Sequence, residues 1–195
     1  MRPARWLDTD EYEEIVATLR ACRQFLSLAT QDVTYWKWVF IALHNIVQGC
    51  MVIALTRSDS FGATDAKQEK AWREAYAKGN PLPADQPKLL KFLKLYEKIQ
   101  KKEMLPDSSA EGFVPQGSQS ASIRKLNSLR NEFVHFTPKG WSLELSGAPR
   151  IAIDCLDVAE FLVKCSNRFI IFTSFKEGEM LGLIDELKKK FATIK

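Results

Sequence analysis

The stretch SLRNEFVHF, residues 128–136, contains three side chains whose types and spacing could carry out acid–base chemistry on a phosphate. Arg130 has a planar guanidinium that can hold two phosphate oxygens at once, and His135 can exchange a proton near neutral pH. Asn131 lies four residues before His135, so on a helix it can orient either the phosphate or the imidazole. Cleavage of RNA without a metal needs a base for the 2′-hydroxyl proton, an acid for the leaving oxygen and a cation for the charge on phosphorus. These are the roles that the three residues could fill.

A helix over residues 120–136 must position this set, because apolar side chains recur there at helical spacing: Leu126, Leu129, Phe133 and Phe136. At roughly 100° per residue, Arg130 lies about 40° from Leu126 on this helix. Three further polar residues continue around the helix from there: Asn127, Asn131 and His135. We call these four residues the polar strip, and we expect Asn127 to contribute to substrate binding.

One polar strip supplies a single histidine, whereas the reaction uses two proton-transfer groups. Arg130 and His135 are also about 140° and about 7.5 Å apart on the helix, so their side chains do not converge on one point. A two-fold dimer that pairs two strips would place two histidines and two arginines around one phosphate. His44, on the polar side of a second predicted helix, is the other candidate for the second histidine.

A purely structural interpretation of the same residues stays open. Arg130 could pair with an acid on another helix, and Asn127 and Asn131 could satisfy loop carbonyls. His135 could interact with the carbonyl end of its helix, where an imidazolium is favoured by the helix dipole. His44 could form a satisfied buried pair with Gln48.

A second basic surface is predicted on the amphipathic stretch KLLKFLKLYEKIQKK, residues 88–102. Its apolar residues fall on one side of a helix and its lysines on the other. Lys94 and Lys98 on that face are candidates for contacts with an RNA backbone. The alternative is an ordinary solvated lysine face.

The remaining patterns predict an all-α bundle of five or six helices with one small β-hairpin at about 141–154. Helical periodicity covers residues 10–29, 36–55, 66–78, 156–175 and 178–194 in addition to the two segments above. The segments WSLEL and RIAID alternate apolar and polar residues across the turn SGAP, which favours the hairpin. Residues 105–119 are rich in Pro, Gly and Ser and are expected to form a loop within a single domain, 1–195.

The composition fits one globular domain of 195 residues with a formal net charge of +4. This mild excess of positive charge permits a polyanionic partner without requiring one. The four cysteines are dispersed and no histidine stands at metal-ligand spacing, so we expect reduced thiols in a cytoplasmic protein and no metal or cofactor. Residues 36–55 are long enough to span a bilayer, but their polar stripe with His44 and Gln48 favours a buried central helix and no membrane association. Trp36, Trp38 and Trp141 are interpreted as packing residues.

The string RNEFVH, residues 130–135, resembles the signature of the HEPN superfamily. In that signature an Arg and a following polar residue precede a His on a late helix of a small bundle with two long early helices. Many members are metal-independent RNases in toxin–antitoxin or antiviral defence systems, and they typically act as dimers with a composite site. The resemblance implies that Arg130, Asn131 and His135 are catalytic. Members silenced by a partner nucleotidyltransferase often have a tyrosine where this chain has Thr137.

Two function classes follow from these observations. The first is a metal-independent endoribonuclease of the HEPN type, a toxin or phage-defence effector, with a cognate antitoxin or regulator as a partner. The second is a non-catalytic helical module of the same fold that binds a nucleotide, RNA or a partner protein.

Overall fold

The computed structural model of this chain describes residues 6–106, 111–135, 140–166 and 174–194. Within these ranges the chain forms seven α-helices and no β-strand: α1 Glu11–Ala29, α2 Trp36–Leu55, α3 Ala66–Ala77, α4 Phe92–Ile99, α5 Gln119–Val134, α6 Ala148–Cys165 and α7 Ser174–Thr193. The prediction of an all-α protein is confirmed, but the described residues form seven helices instead of the five or six predicted. Thr137 and Phe136 lie outside the described residues.

Helix α2 lies at the centre of the bundle and packs against α1, α4, α5 and α6. It is the one helix of the described chain that is long and apolar enough to cross a bilayer, yet 67% of its apolar window is buried inside the protein. Burial of this kind is what the core helix of a bundle shows. The predicted bounds, 36–55, match those of the structure.

Helix α1 runs close against α2 because a glycine stands at their contact. Asp10 caps α1 by accepting a hydrogen bond of 2.7 Å from the backbone N–H of Glu13. A Cβ atom at Gly49 of α2 would lie only 2.8 Å from Cγ1 of Ile15 on α1. The missing side chain therefore lets the two helices approach.

Helix α5, which carries the polar strip, packs against both α2 and α6. Its first turn is joined to α6 by the buried carboxylate of Asp154, which accepts hydrogen bonds of 2.6 Å from the hydroxyls of Ser118 and Ser122. Arg150 completes this cluster with an ion pair of 3.0 Å to Asp154. The cluster fixes the beginning of α5, about two to three turns before Arg130 and about four turns before His135.

The predicted hairpin at 141–154 is wrong. Residues 141–147 form no strand, and Ala148 begins helix α6. The segment RIAID alternates over only five residues, whereas Ala148, Ala152, Cys155 and Leu156 are all buried at helical spacing. Pro149, in the first turn of the helix, needs no backbone N–H there. The helical period over a longer window therefore outweighs the short alternation.

Helix α4 is shorter than predicted. Instead of continuing the helix, residues 88–90 pair with residues 63–65: Asp65 N–H donates to the Lys88 carbonyl at 2.9 Å, and Leu90 N–H donates to the Ala63 carbonyl at 3.0 Å. This pairing uses the backbone groups that a longer helix would need.

Candidate functional site

The polar strip occupies the last two turns of α5. Asn127, Arg130 and Asn131 are half-buried, and His135 is exposed. The backbone N–H of His135 donates to the Asn131 carbonyl at 2.9 Å, and His135 forms the C-cap of the helix. The helix therefore presents an exposed imidazole at its carbonyl end.

Arg130 has a neutral partner rather than an acidic one. Its Nη1 donates to Oδ1 of Asn131 at 3.1 Å. No carboxylate within the described ranges lies within ion-pair distance of the Arg130 guanidinium. The positive charge of Arg130 is therefore not compensated by this part of the chain, which is the condition for binding an anion.

His44 reaches the polar strip from α2. It is 2% exposed, and its Nε2 lies 3.4 Å from Oδ1 of Asn127. Since an amide oxygen accepts hydrogen bonds, this contact requires the tautomer with the proton on Nε2. The ring stacks on Phe92 of α4 with centroids 4.0 Å apart, and Nδ1 has no hydrogen-bond partner in the described chain.

The environment of His44 favours the neutral imidazole. Burial lowers the pKa of His44 to about 4, and the positive charge of Arg130 contributes to the decrease. Asn127 and Asn45 oppose the shift of this pKa without cancelling it. At neutral pH His44 is therefore a neutral imidazole whose Nε2–H faces the amide oxygen of Asn127.

The two lysine candidates lie elsewhere. Lys94 pairs with Glu97 at 2.7 Å, and Lys98 donates to the carbonyl of Gly62. Burial lowers the pKa of Lys98, while the nearby carboxylate of Glu69 opposes the change in this pKa. Both lysines are thus engaged with α4 itself or with the chain before α3, and the structure does not bring them to the polar strip.

Glu69 is the centre of a buried polar cluster near Lys98 of α4. Its carboxylate accepts hydrogen bonds from Thr64 at 2.6 Å, from Gly62 N–H at 2.8 Å and from Arg57 at 2.9 Å. Burial alone would raise the pKa of Glu69, but these bonds and the charges of Arg57 and Lys98 lower this pKa overall. A carboxylate with so many partners has a structural role, since it leaves little room for a ligand.

Trp141 is a neighbour of the polar strip that the sequence pattern did not reveal. It is 43% exposed, and its ring centroid lies 5.0 Å from that of Phe133, three residues after Arg130. Trp36, in contrast, is buried as expected. Trp141 follows the strip in the chain by six residues, and no local pattern indicates that the chain returns to Phe133.

The site shows no metal-binding character in the part of the chain that the structure covers. No group of three or more His, Cys, Asp or Glu side chains there could hold a metal ion. The groups that converge are a guanidinium, two amides and a neutral imidazole.

Comparisons with protein-family models, with curated proteins and with solved structures gave no match for this chain. The residues of the polar strip and the groups that surround them are therefore the features of this chain that bear on its function.

Proposed function

We propose that this chain is a metal-independent endoribonuclease of the HEPN type that acts in the cytoplasm as a toxin or phage-defence effector. The observation that supports this most is the uncompensated guanidinium of Arg130, bonded only to the amide of Asn131 in the described chain. Arg130 is half-buried, and a half-buried guanidinium needs hydrogen-bond partners for its N–H groups. Here its neighbours are neutral polar groups, an arrangement suited to a phosphodiester.

In the proposed mechanism Arg130 holds the scissile phosphate and stabilises the charge that builds up on it. His135 transfers a proton, either from the 2′-hydroxyl or to the leaving 5′-oxygen. Asn131 keeps the guanidinium in place through its 3.1 Å contact with Arg130. His44 acts as a positioning residue that orients Asn127 toward the substrate.

The helix order supports a HEPN-like bundle. Two long helices, Glu11–Ala29 and Trp36–Leu55, come first, and the helix with the motif, Gln119–Val134, comes late. The proposal includes a homodimer in which two polar strips face each other. A dimer supplies the second exposed histidine, because His44 is buried and neutral.

The test is incubation of the purified protein with a single-stranded RNA in EDTA, beside DNA of the same sequence. We expect RNA products with 2′,3′-cyclic phosphate and 5′-hydroxyl ends, and intact DNA, because the reaction uses the 2′-hydroxyl. His135→Ala should cleave at least about a hundredfold more slowly. Arg130→Lys should also be impaired, since an ammonium does not reproduce the two-point contact of a guanidinium. Lys94→Ala and Lys98→Ala should at most weaken binding, in a salt-dependent way.

Cleavage by His135→Ala at the wild-type rate, or cleavage only with added magnesium, would contradict the nuclease. The second candidate is a non-catalytic module of the same fold that binds a nucleotide, RNA or a partner such as an antitoxin or regulator. The burial of His44 favours it, because one protomer then has a single exposed histidine in the described chain. RNA binding that depends on Arg130, with no cleavage, would identify this module.

A further inference from the structure

Trp141 combines a fixed position with an open surface. Its indole contacts Phe133 with ring centroids 5.0 Å apart, and Phe133 in turn stacks on Phe40 of α2 at 6.3 Å. Phe40 is fully buried, so this row of aromatic rings ties the indole to the core. With 43% of its surface still exposed, Trp141 presents part of a large aromatic ring to solvent.

The same ring packs on the helix that bears the proposed phosphate site. Phe133 follows Arg130 by three residues on α5, so their Cβ atoms are about 5–6 Å apart. The indole therefore contacts a residue that neighbours Arg130 on the helix surface. An exposed aromatic ring and a cation without an acidic partner in the described chain match the two parts of a nucleotide, a flat base and a negatively charged phosphate.

Trp38 provides a comparison on the same molecule. It is 45% exposed, about as much as Trp141, but the ammonium of Lys37 lies over its ring at 5.0 Å from the centroid. A cation therefore already occupies a face of Trp38. Trp38 also packs on Phe25 of α1 instead of on the helix that bears the polar strip.

We propose that Trp141 is a stacking platform for one unpaired nucleobase of an RNA strand whose phosphate is held by Arg130. This inference rests on the proposed function and specifies its substrate as single-stranded RNA. Stacking on an indole tolerates every base, so the platform selects unpaired over paired nucleotides without selecting a sequence.

The experiment measures binding apart from cleavage, with a fluorescently labelled 2′-O-methyl RNA octamer that lacks the attacking hydroxyl. Loss of one base–aromatic stack is worth about 1–3 kcal/mol, so Trp141→Ala should raise Kd by roughly 5- to 150-fold. Trp141→Phe should recover most of the affinity, because a smaller aromatic ring still stacks. Trp38→Ala, the matched control, should bind like the wild type.

Salt dependence separates the base contact from the phosphate contact. Trp141→Ala should leave the slope of log Kd against log salt unchanged, whereas Arg130→Gln should reduce its magnitude by about 0.7, the value of one phosphate contact in a single strand. An unlabelled octamer of the same sequence should also quench the tryptophan fluorescence of the wild type more strongly than that of Trp141→Phe.

Equal affinities of Trp141→Ala and Trp38→Ala would overturn the platform, even if the wild type cleaves RNA. A Trp141→Ala protein that sediments differently from the wild type without RNA would overturn it too, since the ring would then contact a second protomer. Failure of the wild type to bind or cleave any RNA would overturn the proposed function as well as the platform.

Discussion

The two histidines of this chain occupy opposite environments. His44 is 2% exposed, stacked on Phe92 and next to the charge of Arg130. His135 lies exposed at the C-cap of α5. The two side chains therefore differ in what they offer: His44 is a neutral donor inside the bundle, and His135 is an exposed imidazole to which the proposed mechanism assigns proton transfer.

The low pKa of His44 predicts that stability decreases in mild acid. Its pKa is about 4 in the folded chain, against roughly 6.5 in an unfolded one. Between these values the unfolded state binds more protons, so the free energy of unfolding falls as the pH drops from about 6.5 toward 4. At about 1.4 kcal/mol per unit, His44 should account for a loss of about 2 kcal/mol between pH 7 and pH 5.

Urea unfolding of the wild type and His44→Gln at both pH values measures this loss. The glutamine does not titrate and can still donate to Asn127. Between pH 7 and pH 5 the free energy of unfolding of His44→Gln should therefore fall by about 2 kcal/mol less than that of the wild type. The same substitution at the exposed His135 serves as the control. Identical losses in the wild type and His44→Gln would show that His44 does not carry the effect.

A second prediction concerns the coupling between His44 and Arg130. Because the guanidinium charge lowers the pKa of His44, Arg130→Gln should raise that pKa. A proton NMR titration of the His44 ring measures the change directly. Lys94→Gln, which removes a lysine already paired with Glu97, should leave the His44 titration where it is in the wild type. An unchanged His44 titration in Arg130→Gln would mean that the two side chains do not share a site.

At the scale of the elements, periodicity predicted the bounds of α1 and α2 well and those of α4 and α6 poorly, since α6 spans Ala148–Cys165 instead of 156–175. Residues 36–55 form α2 with the predicted bounds because twenty residues of one pattern leave no competing structure. The prediction of a hairpin failed because five alternating residues fit a strand or the first turns of α6 equally well. The prediction that α4 begins at residue 88 failed because residues 88–90 bond to residues 63–65, which are distant in sequence.

The backbone contacts between residues 88–90 and residues 63–65 lie beside the Glu69 cluster. This cluster should hold α3 and the chain before it against α4. Glu69→Gln keeps the shape of the side chain but removes the charge from a site with three donors, including Arg57. Breaking a buried, charge-assisted contact of this kind should lower the free energy of unfolding by about 2 kcal/mol or more. The measurement is urea denaturation at pH 7.

Glu97→Gln is the matched control for this prediction. Glu97 pairs with Lys94 at 2.7 Å, but both side chains are more than half exposed, so its loss should cost no more than about 0.5 kcal/mol. Equal costs for the two substitutions would show that the Glu69 cluster does not hold the segment in place.

At the scale of the whole molecule, the part of the site that lies on one helix could be predicted and the rest could not. The angles of an α-helix suffice to place Asn127, Arg130 and Asn131 on one side of α5. Contact between His44 and Asn127 depends on how α2 packs against α5, which local spacing does not specify. The spacing of residues 88–102 placed Lys98 on a predicted basic face, but the packing of residues 57–69 against α4 directs its ammonium to the Gly62 carbonyl instead.

The proposed dimer is the property of the whole molecule on which the mechanism depends. With His44 buried, a single protomer offers one accessible histidine in the described chain, whereas RNA cleavage uses a base and an acid. We therefore expect sedimentation at micromolar concentration to show a dimer. Sedimentation as a monomer at that concentration would contradict a composite site.

Mixing the wild type with His135→Ala tests whether the partners share one site. After subunit exchange at equal amounts, about a quarter of the dimers keep both copies of His135 and about half keep one. Because cleavage uses a base and an acid, only the dimers with both histidines should cleave at the full rate. The mixture should thus have about a quarter of the activity of the same total amount of wild type. If native mass spectrometry shows mixed dimers and the activity is about half of the wild-type value, each protomer works alone, and the second proton-transfer group must come from within the chain.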